Sequence, residues 1–283
     1  MVIYGKMCAE KLLFEDLSSI KFKMRTTPYH FNLLSDEERL SAFFEAIKEK
    51  ANGTVYDIGS GCGILSIYAS FYSNFVYAVE IDPNSAKMAE FNVKPFENIS
   101  LINKDAKEVV FKDKADVIIC EMLDTALIDE EQVPVLNSIL KYLKSNGEVI
   151  PKGIINGAEA VHMNSCHICY DDSFTGVKNL NHEIMSDFVI YNKISFNNKI
   201  SEDVEAIIEF VISRKGIVSG IKISTLTLLT DNIICGPTDM FNPALLIPTK
   251  KISADIGDKI RVKLNYKMGG GLNSIKTRIE KIS

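Results

Sequence analysis

Between Leu34 and Lys50 the apolar residues Leu40, Phe43, Phe44 and Ile47 recur at the spacing of one helix face. Ser35 or Asp36 is placed to cap this helix, and Asn52-Gly53 to stop it. The pattern then changes. Apolar runs at 54–58, 75–81, 99–103, 115–121 and 146–150 read as strands, alternating with helical stretches near 62–73, 83–93 and 129–143. Such alternation builds a parallel, doubly wound sheet that takes its ligand at the carboxyl ends of its strands. Pro151 marks a change of texture. From Gly157 on, β-rich runs dominate: Phe188 to Tyr191, Ile207 to Ile212, Lys222 to Leu229 and Ile260 to Tyr266, separated by glycine and asparagine turns. Gly269-Gly270-Gly271 reads as a loop. The fold class is therefore α/β, a Rossmann-like doubly wound sheet followed by an antiparallel β-rich domain. The boundaries fall as an N-terminal segment at 1–34, the doubly wound domain at 35–150 and the β-rich domain at 151–283.

Composition changes this picture little. At 283 residues with 46% apolar residues the chain can bury a sizeable core, and nothing argues for disorder. No apolar run is long enough to span a membrane. Charges at Glu10, Lys11, Glu15 and Asp16 would spoil a secretory signal. The six cysteines, at 8, 62, 120, 166, 169 and 235, show no disulfide rhythm. A cytoplasmic protein without a membrane partner is expected. The formal charge of −5 is spread over interspersed residues of both signs, so no general nucleic-acid surface is expected. That balance favours a basic or neutral substrate over a polyanion.

The chemistry begins at Val55-Tyr56-Asp57-Ile58-Gly59-Ser60-Gly61-Cys62-Gly63, a strand running into a triple-glycine turn and then a helix. Gly59, Gly61 and Gly63 supply positive φ and keep Cβ atoms away from a ligand, while the helix aims free N–H groups at the same place. Glu80 ends the second strand about twenty residues on, where a carboxylate accepts hydrogen bonds from ribose hydroxyls. Ile64 stands where a dinucleotide fingerprint would place its third glycine. With Asp57 just ahead of the glycines, the segment resembles the first motif of class I S-adenosylmethionine-dependent methyltransferases. Glu80 resembles their ribose-binding acid. That resemblance implies that Asp105-Ala106, after the third strand, lie where the adenine is held.

The fourth strand runs into Glu121-Met122-Leu123-Asp124-Thr125-Ala126-Leu127-Ile128-Asp129-Glu130. The Asn/Asp-Pro-Pro-aromatic tetrad of nucleobase amino-methyltransferases is not found at Cys120 to Leu123. Instead two glutamates bracket an apolar loop, a pair suited to clamp a planar cation. Glu121 and Glu130 resemble the double-glutamate loop of protein arginine methyltransferases, in a divergent, archaeal- or prokaryotic-like form. Leu33-Leu34-Ser35-Asp36-Glu37-Glu38-Arg39 resembles the family's helix whose arginine binds the cofactor carboxylate, which implies that role for Arg39. Ile150-Pro151-Lys152 resembles the family's crossing into its β domain, and Phe210 to Gly216 the strand before its substrate loop. The sequence departs from the family in three places. Thr238-Asp239-Met240-Phe241 stands where the family has Thr-His-Trp, only Tyr29-His30-Phe31 remains of the tyrosine-rich cofactor cover, and Cys166 to Glu183 is short for the dimerisation arm.

Each assignment has a structural counterpart. Glu130, beside Asp129 at a helix start, also suits the macrodipole. Arg39 reads equally as a surface helix residue and Asp105 as a turn residue, while Glu121 at a parallel strand's end is harder to explain structurally. Asp239 either replaces the lost histidine or is solvated in its loop. His162, Cys166, His167 and Cys169 have only partial zinc spacing, so no metal is expected. His30 and His182 read as structural or exposed.

The resemblance implies S-adenosyl-L-methionine as cofactor, S-adenosyl-L-homocysteine as product, and catalysis by Glu121 and Glu130, with Glu121 also among the residues at the cofactor. The expected partner is a protein substrate methylated on arginine or another side chain, with a homodimer possible and the active site between the domains. Two other readings stay open: a small-molecule N- or S-methyltransferase, and a non-catalytic cofactor-binding scaffold.

Overall fold

The computed structural model describes residues 2–3, 24–171, 182–238 and 240–283. Cys8 and Asp239 lie outside the described residues, as does most of the segment read as the dimerisation arm. The chain divides into two compact units. The first is Met1–Glu121 with Lys141–Ile150, the second Met122–Leu140 with Pro151–Ser283.

In the first unit a short antiparallel pair, β1 (Val2–Ile3) and β2 (Met24–Arg25), precedes helices α1 (Pro28–Ser35) and α2 (Glu37–Lys50). The helix expected from Leu34 is thus two helices. Asp36, at φ −82° and ψ 89°, leaves the helical region and caps α2 by accepting the Arg39 N–H at 3.0 Å. There follow β3 (Thr54–Ile58), α3 (Ile64–Ser70), β4 (Phe75–Glu80), α4 (Pro83–Val93), β5 (Ile99–Asn103), β6 (Ala115–Cys120) and, after an excursion into the second unit, β7 (Leu143–Ile150). These strands form a parallel sheet in the order β5-β4-β3-β6-β7, whose reversal of direction falls between β3 and β6. The central strands are buried almost throughout, which is why they read as unbroken apolar runs. Phe43, Ala46 and Ile47 form the fully buried face of α2, and every residue of α3 is buried.

The second unit holds α5 (Gln132–Ile139) and antiparallel strands. These are β8 (Gly153–Met163), β9 (Cys169–Tyr170), β10 (His182–Ile184), β11 (Val189–Ser195), β12 (Asp203–Val211), β13 (Gly216–Leu228), β14 (Ile234–Cys235), β15 (Leu245–Ala254), β16 (Lys259–Lys267) and β17 (Lys276–Lys281). A seven-stranded sheet runs β10-β8-β13-β15-β9, with β11 on β8 and β14 on β13, and a three-stranded sheet runs β12-β16-β17. The four anticipated runs lie within β11, β12, β13 and β16, apart from their outermost residues. The chain has more strands than those, β8, β15 and β17 among them. Strict in–out alternation in β12 and β16 gives their sheet one buried face. Gly220 has no room for a side chain, since a Cβ there would lie 2.3 Å from the Met163 sulfur and 2.8 Å from the Ile247 carbonyl oxygen.

The packing of α2 on its sheet gives a direct test. Phe43 is 0% exposed, so Phe43→Ala is expected to cost about 3–5 kcal/mol in denaturant-induced unfolding. A loss below about 1 kcal/mol would contradict the packing described.

Candidate functional site

The carboxyl ends of β3, β4 and β6 gather most of the candidate residues within the first unit. The turn after β3 takes positive φ at all three glycines, 74° at Gly59, 57° at Gly61 and 87° at Gly63. Gly63 opens α3 and is closely packed, since a Cβ there would sit 3.0 Å from a Val93 methyl. Gly61 underlies His30, whose Nε2 would lie 2.5 Å from such an atom. Burial, and then the Arg39 charge, hold the His30 imidazole below its ordinary pKa, and its Nδ1 lies 2.7 Å from the Thr27 hydroxyl.

Glu80 ties this turn together. Its Oε2 accepts the Gly61 N–H and its Oε1 the Asp82 N–H, both at 2.8 Å. Burial pushes the Glu80 carboxyl above its ordinary pKa, while these backbone donors pull it back. Asn92 on α4 adds a tether, donating from Nδ2 to the Cys62 carbonyl at 2.9 Å and to the Arg25 carbonyl at 2.7 Å. Sequence reasoning missed Asn92, because its role depends on where a buried helix face docks.

Asp57 is 1% exposed and accepts the Ser66 hydroxyl at 2.5 Å. Burial pushes its pKa to about 7; the Ser66 bond opposes that shift, while the charges of Glu121 and Glu80 add to it. Arg39 is nearly as buried, at 3%, and is not the surface helix residue of the alternative reading. Its Nη2 donates to Glu121 Oε2 at 2.5 Å. Two residues both expected at the cofactor, one of them also in the catalytic pair, thus hold one another. Asp105 caps the short turn it begins, accepting the Lys107 N–H at 2.9 Å, and both it and Ala106 are half-buried. Their strand end is tied to β4 by the Lys104 N–H and the Asn103 amide, both donating to the Glu80 carbonyl.

Glu130 belongs to the second unit, where it lies exposed just ahead of α5. The segment 122–130 is more than an apolar loop. Asp124, 8% exposed, accepts the N–H groups of Ile128, Asp129 and Glu130 and the Tyr170 hydroxyl. Burial pushes its pKa to about 6 against the pull of those bonds. Ala126 and Leu127 have φ of 62° and 61° although both are 0% exposed. Non-glycine residues held there store about 1–3 kcal/mol each. Packing and bonds offset that cost: the Ala126 N–H reaches the Thr225 hydroxyl at 2.8 Å, and Gly269 and Gly271 donate to the Leu127 and Ile128 carbonyls, both at 2.9 Å. The three-glycine run is therefore the turn that braces this segment.

In the segment read from the sequence against Thr-His-Trp, the Thr238 hydroxyl accepts the Phe241 N–H at 3.0 Å and Phe241 is buried. His162 Nδ1 faces the Ile217 carbonyl at 3.0 Å. Among the described residues no helix is long and apolar enough to cross a membrane.

The residues of the first unit suit a ligand carrying hydroxyls, a cation and a carboxylate. The Ser60 hydroxyl is buried in the glycine turn with no partner among the described residues, the charges of Glu121 and Glu80 act on Asp57, and Arg39 supplies one buried cation. The fold and the likenesses to known proteins together define a class I S-adenosylmethionine-dependent methyltransferase resembling the protein arginine methyltransferases. The family model for ribosomal protein L11 methyltransferase (PrmA) matches residues 38–172. An uncharacterized protein of Methanothermobacter thermautotrophicus is 44% identical over 259 residues, 91% of this chain and 99% of that one, and the chain belongs to its family. Protein arginine N-methyltransferase 7 of Danio rerio is 30% identical over 139 residues, 42% of this chain and 20% of that one. The Trypanosoma brucei PRMT1 enzyme–prozyme heterotetrameric complex with AdoHcy shares the fold, with a TM-score of 0.73 at 14% identity over 90% of this chain and 97% of that one.

Two outcomes test the site. Glu80→Ala is expected to weaken S-adenosylmethionine binding at least tenfold by calorimetry, and unchanged affinity would remove its assignment. Asp57 carries the pH dependence. With a folded pKa near 7 against an ordinary 3.8, its stabilising effect on the fold is full below the ordinary value and lost as pH rises through 7. A cationic ligand favours the ionised form, so donor affinity is expected to rise from pH 6 to pH 8 with proton uptake or release changing accordingly. Asp57→Asn should flatten that rise, and an equally steep profile would refute the linkage.

Proposed function

We propose that this enzyme methylates a side chain of a protein partner, with arginine the acceptor that the carboxylate arrangement fits best. The observation that carries the reading is Glu121, a carboxylate at the carboxyl end of β6 whose Oε2 is held by buried Arg39. Its second oxygen, Oε1, is the one that a substrate cation would take. Glu130 would supply the second carboxylate.

S-adenosylmethionine supplies an electrophilic methyl group and leaves as S-adenosylhomocysteine. The chain's own residues do the rest by placement. Glu80, Asp57, the glycine turn and Asp105-Ala106 would bind the donor, and Arg39 would meet its carboxylate while steadying Glu121. A guanidinium stays protonated near neutral pH, so paired carboxylates would draw its charge toward one nitrogen and leave another nucleophilic. Aligning that nitrogen with the S–CH₃ bond is a positioning effect worth about 7–11 kcal/mol in favourable cases; as the N–C bond forms and the S–C bond breaks, the methylated nitrogen would release one proton to a carboxylate or to water.

The sequence departure at Thr238-Asp239-Met240-Phe241, where the arginine methyltransferases have Thr-His-Trp, favours a second reading, in which the acceptor is a side chain other than arginine. Labelling separates the two. Tritiated S-adenosylmethionine mixed with extract of the source cells should label a protein band whose acid hydrolysate contains methylated arginine. Another methylated residue would support the second reading, label in small molecules would overturn both, and donor binding without any label would mark a scaffold. Glu121→Gln is expected to lower transfer at saturating donor by about 10²–10³-fold, beyond any loss of donor affinity that follows from leaving Arg39 without its partner. Activity within a few-fold of the parent would sink the clamp.

A further inference from the structure

Asp124 occupies a position that the clamp reading leaves without a role. Four donors converge on its carboxylate. Oδ2 accepts the Ile128 N–H at 3.1 Å, the Asp129 N–H at 2.9 Å and the Tyr170 hydroxyl at 3.1 Å, and Oδ1 accepts the Glu130 N–H at 3.2 Å. Only an acceptor-only group with two oxygens serves such a set, because an asparagine would turn an NH₂ against one side of it. The rest of the segment is fixed as firmly. Thr125 Oγ1 donates to the Pro243 carbonyl at 2.6 Å, and the Thr225 hydroxyl that receives the Ala126 N–H donates in turn to Asn156 Oδ1 at 2.7 Å. Among the described residues, the ionisable groups facing Asp124 are Tyr170, Tyr266, Asp129 and Glu130.

A connection whose only task was to join β6 to α5 would need neither a buried carboxylate nor two left-handed, non-glycine residues in succession. Strain of this kind persists where the surroundings over-determine a shape, and it gathers at functional positions. The shape fixed here is that of the backbone carrying Glu130, whose own N–H is one of the four donors.

We propose that Asp124 is a positioning residue for methyl transfer, gathering the backbone of residues 128–130 together with the Tyr170 hydroxyl so that Glu130 stands in one place when the acceptor binds. This rests on the reading of Glu130 as an acceptor-binding group. Asp124 touches neither reactant; it acts through Glu130.

The test uses the full-length enzyme, tritiated S-adenosylmethionine and protein in source-cell extract as acceptor, together with hydrogen-exchange mass spectrometry of peptides covering 122–131. Asp124→Asn is expected to keep donor affinity within about twofold, to lose exchange protection at 128–130, and to slow transfer at saturating donor more than tenfold. Tyr170→Phe, which removes one donor and leaves three, should slow transfer about two- to fivefold with a smaller loss of protection. A folded Asp124→Asn enzyme that transfers at the parental rate overturns the proposal, and so does one whose whole loss lies in donor affinity. If Asp124→Asn does not fold, a folded Tyr170→Phe enzyme decides alone: parental rate and protection overturn the proposal, and their joint decline supports it. Glu130→Gln distinguishes the two levels. Parental activity in that variant refutes the clamp reading, whereas a slow Glu130→Gln beside a normal Asp124→Asn refutes only the role of Asp124.

Discussion

A turn at the end of a strand has backbone N–H groups that regular strand pairing cannot all satisfy, and leaving them unpaired away from water costs as much as losing a hydrogen bond. In this protein the Val79 carbonyl takes those of Gly59 and Ser60, and carboxylates meet much of the remaining demand. Glu80 takes the N–H groups of Gly61 and Asp82, and Asp82 takes that of Ser85 while capping α4. Asp124 does the same for three successive residues in the second unit. The local shape of the donor turn and of the segment ahead of α5 depends on this exchange of side-chain charge for backbone acceptors. It also explains why the acids around the site cannot be sorted simply into structural and functional sets. A carboxylate with four lone-pair positions can hold a turn and still face a ligand.

The charges themselves are arranged to be incomplete. Asp57, Glu80 and Glu121 place three carboxylates near one another, with Arg39 as the buried cation among them. Bringing like charges together out of water raises pKa values and favours any cation that joins them. A sulfonium donor is such a cation. The Arg39–Glu121 contact keeps the set tolerable until then, and breaking one partner of such a buried pair is far more damaging than never having built it.

Most of the first unit was legible from apolar periodicity, because central parallel strands bury both faces and leave unbroken runs such as Ala115 to Cys120. The glycine turn was legible because positive φ restricts residue choice. The break between α1 and α2 was not, since Asp36 fits both a helix interior and a cap until its dihedral angles are known. In the second unit β8, β15 and β17 escaped notice, their pairing being decided by distant partners. Arg39 and Glu121 each carried a sequence signal, but their contact spans 82 residues and no local pattern reports it. Asp124 sat in plain view between two glutamates. Its weight comes from the N–H groups that Ala126 and Leu127 turn toward it, and two left-handed residues without glycine leave no mark in a sequence.

Asn92 connects the donor turn to the order in which the chain folds. Its amide closes a 30-residue loop to Cys62 and a 67-residue loop to Arg25. Contacts so distant along the chain form only after loop-closure entropy has been met by other packing. The glycines can adopt their angles early, but the turn is not fastened until α4 has docked and the strand at Met24–Arg25 has reached it. With this turn read as the proposed donor site, its final shape is a late event in the maturation of the unit, set only once α4 and the strand at Met24–Arg25 are both in place.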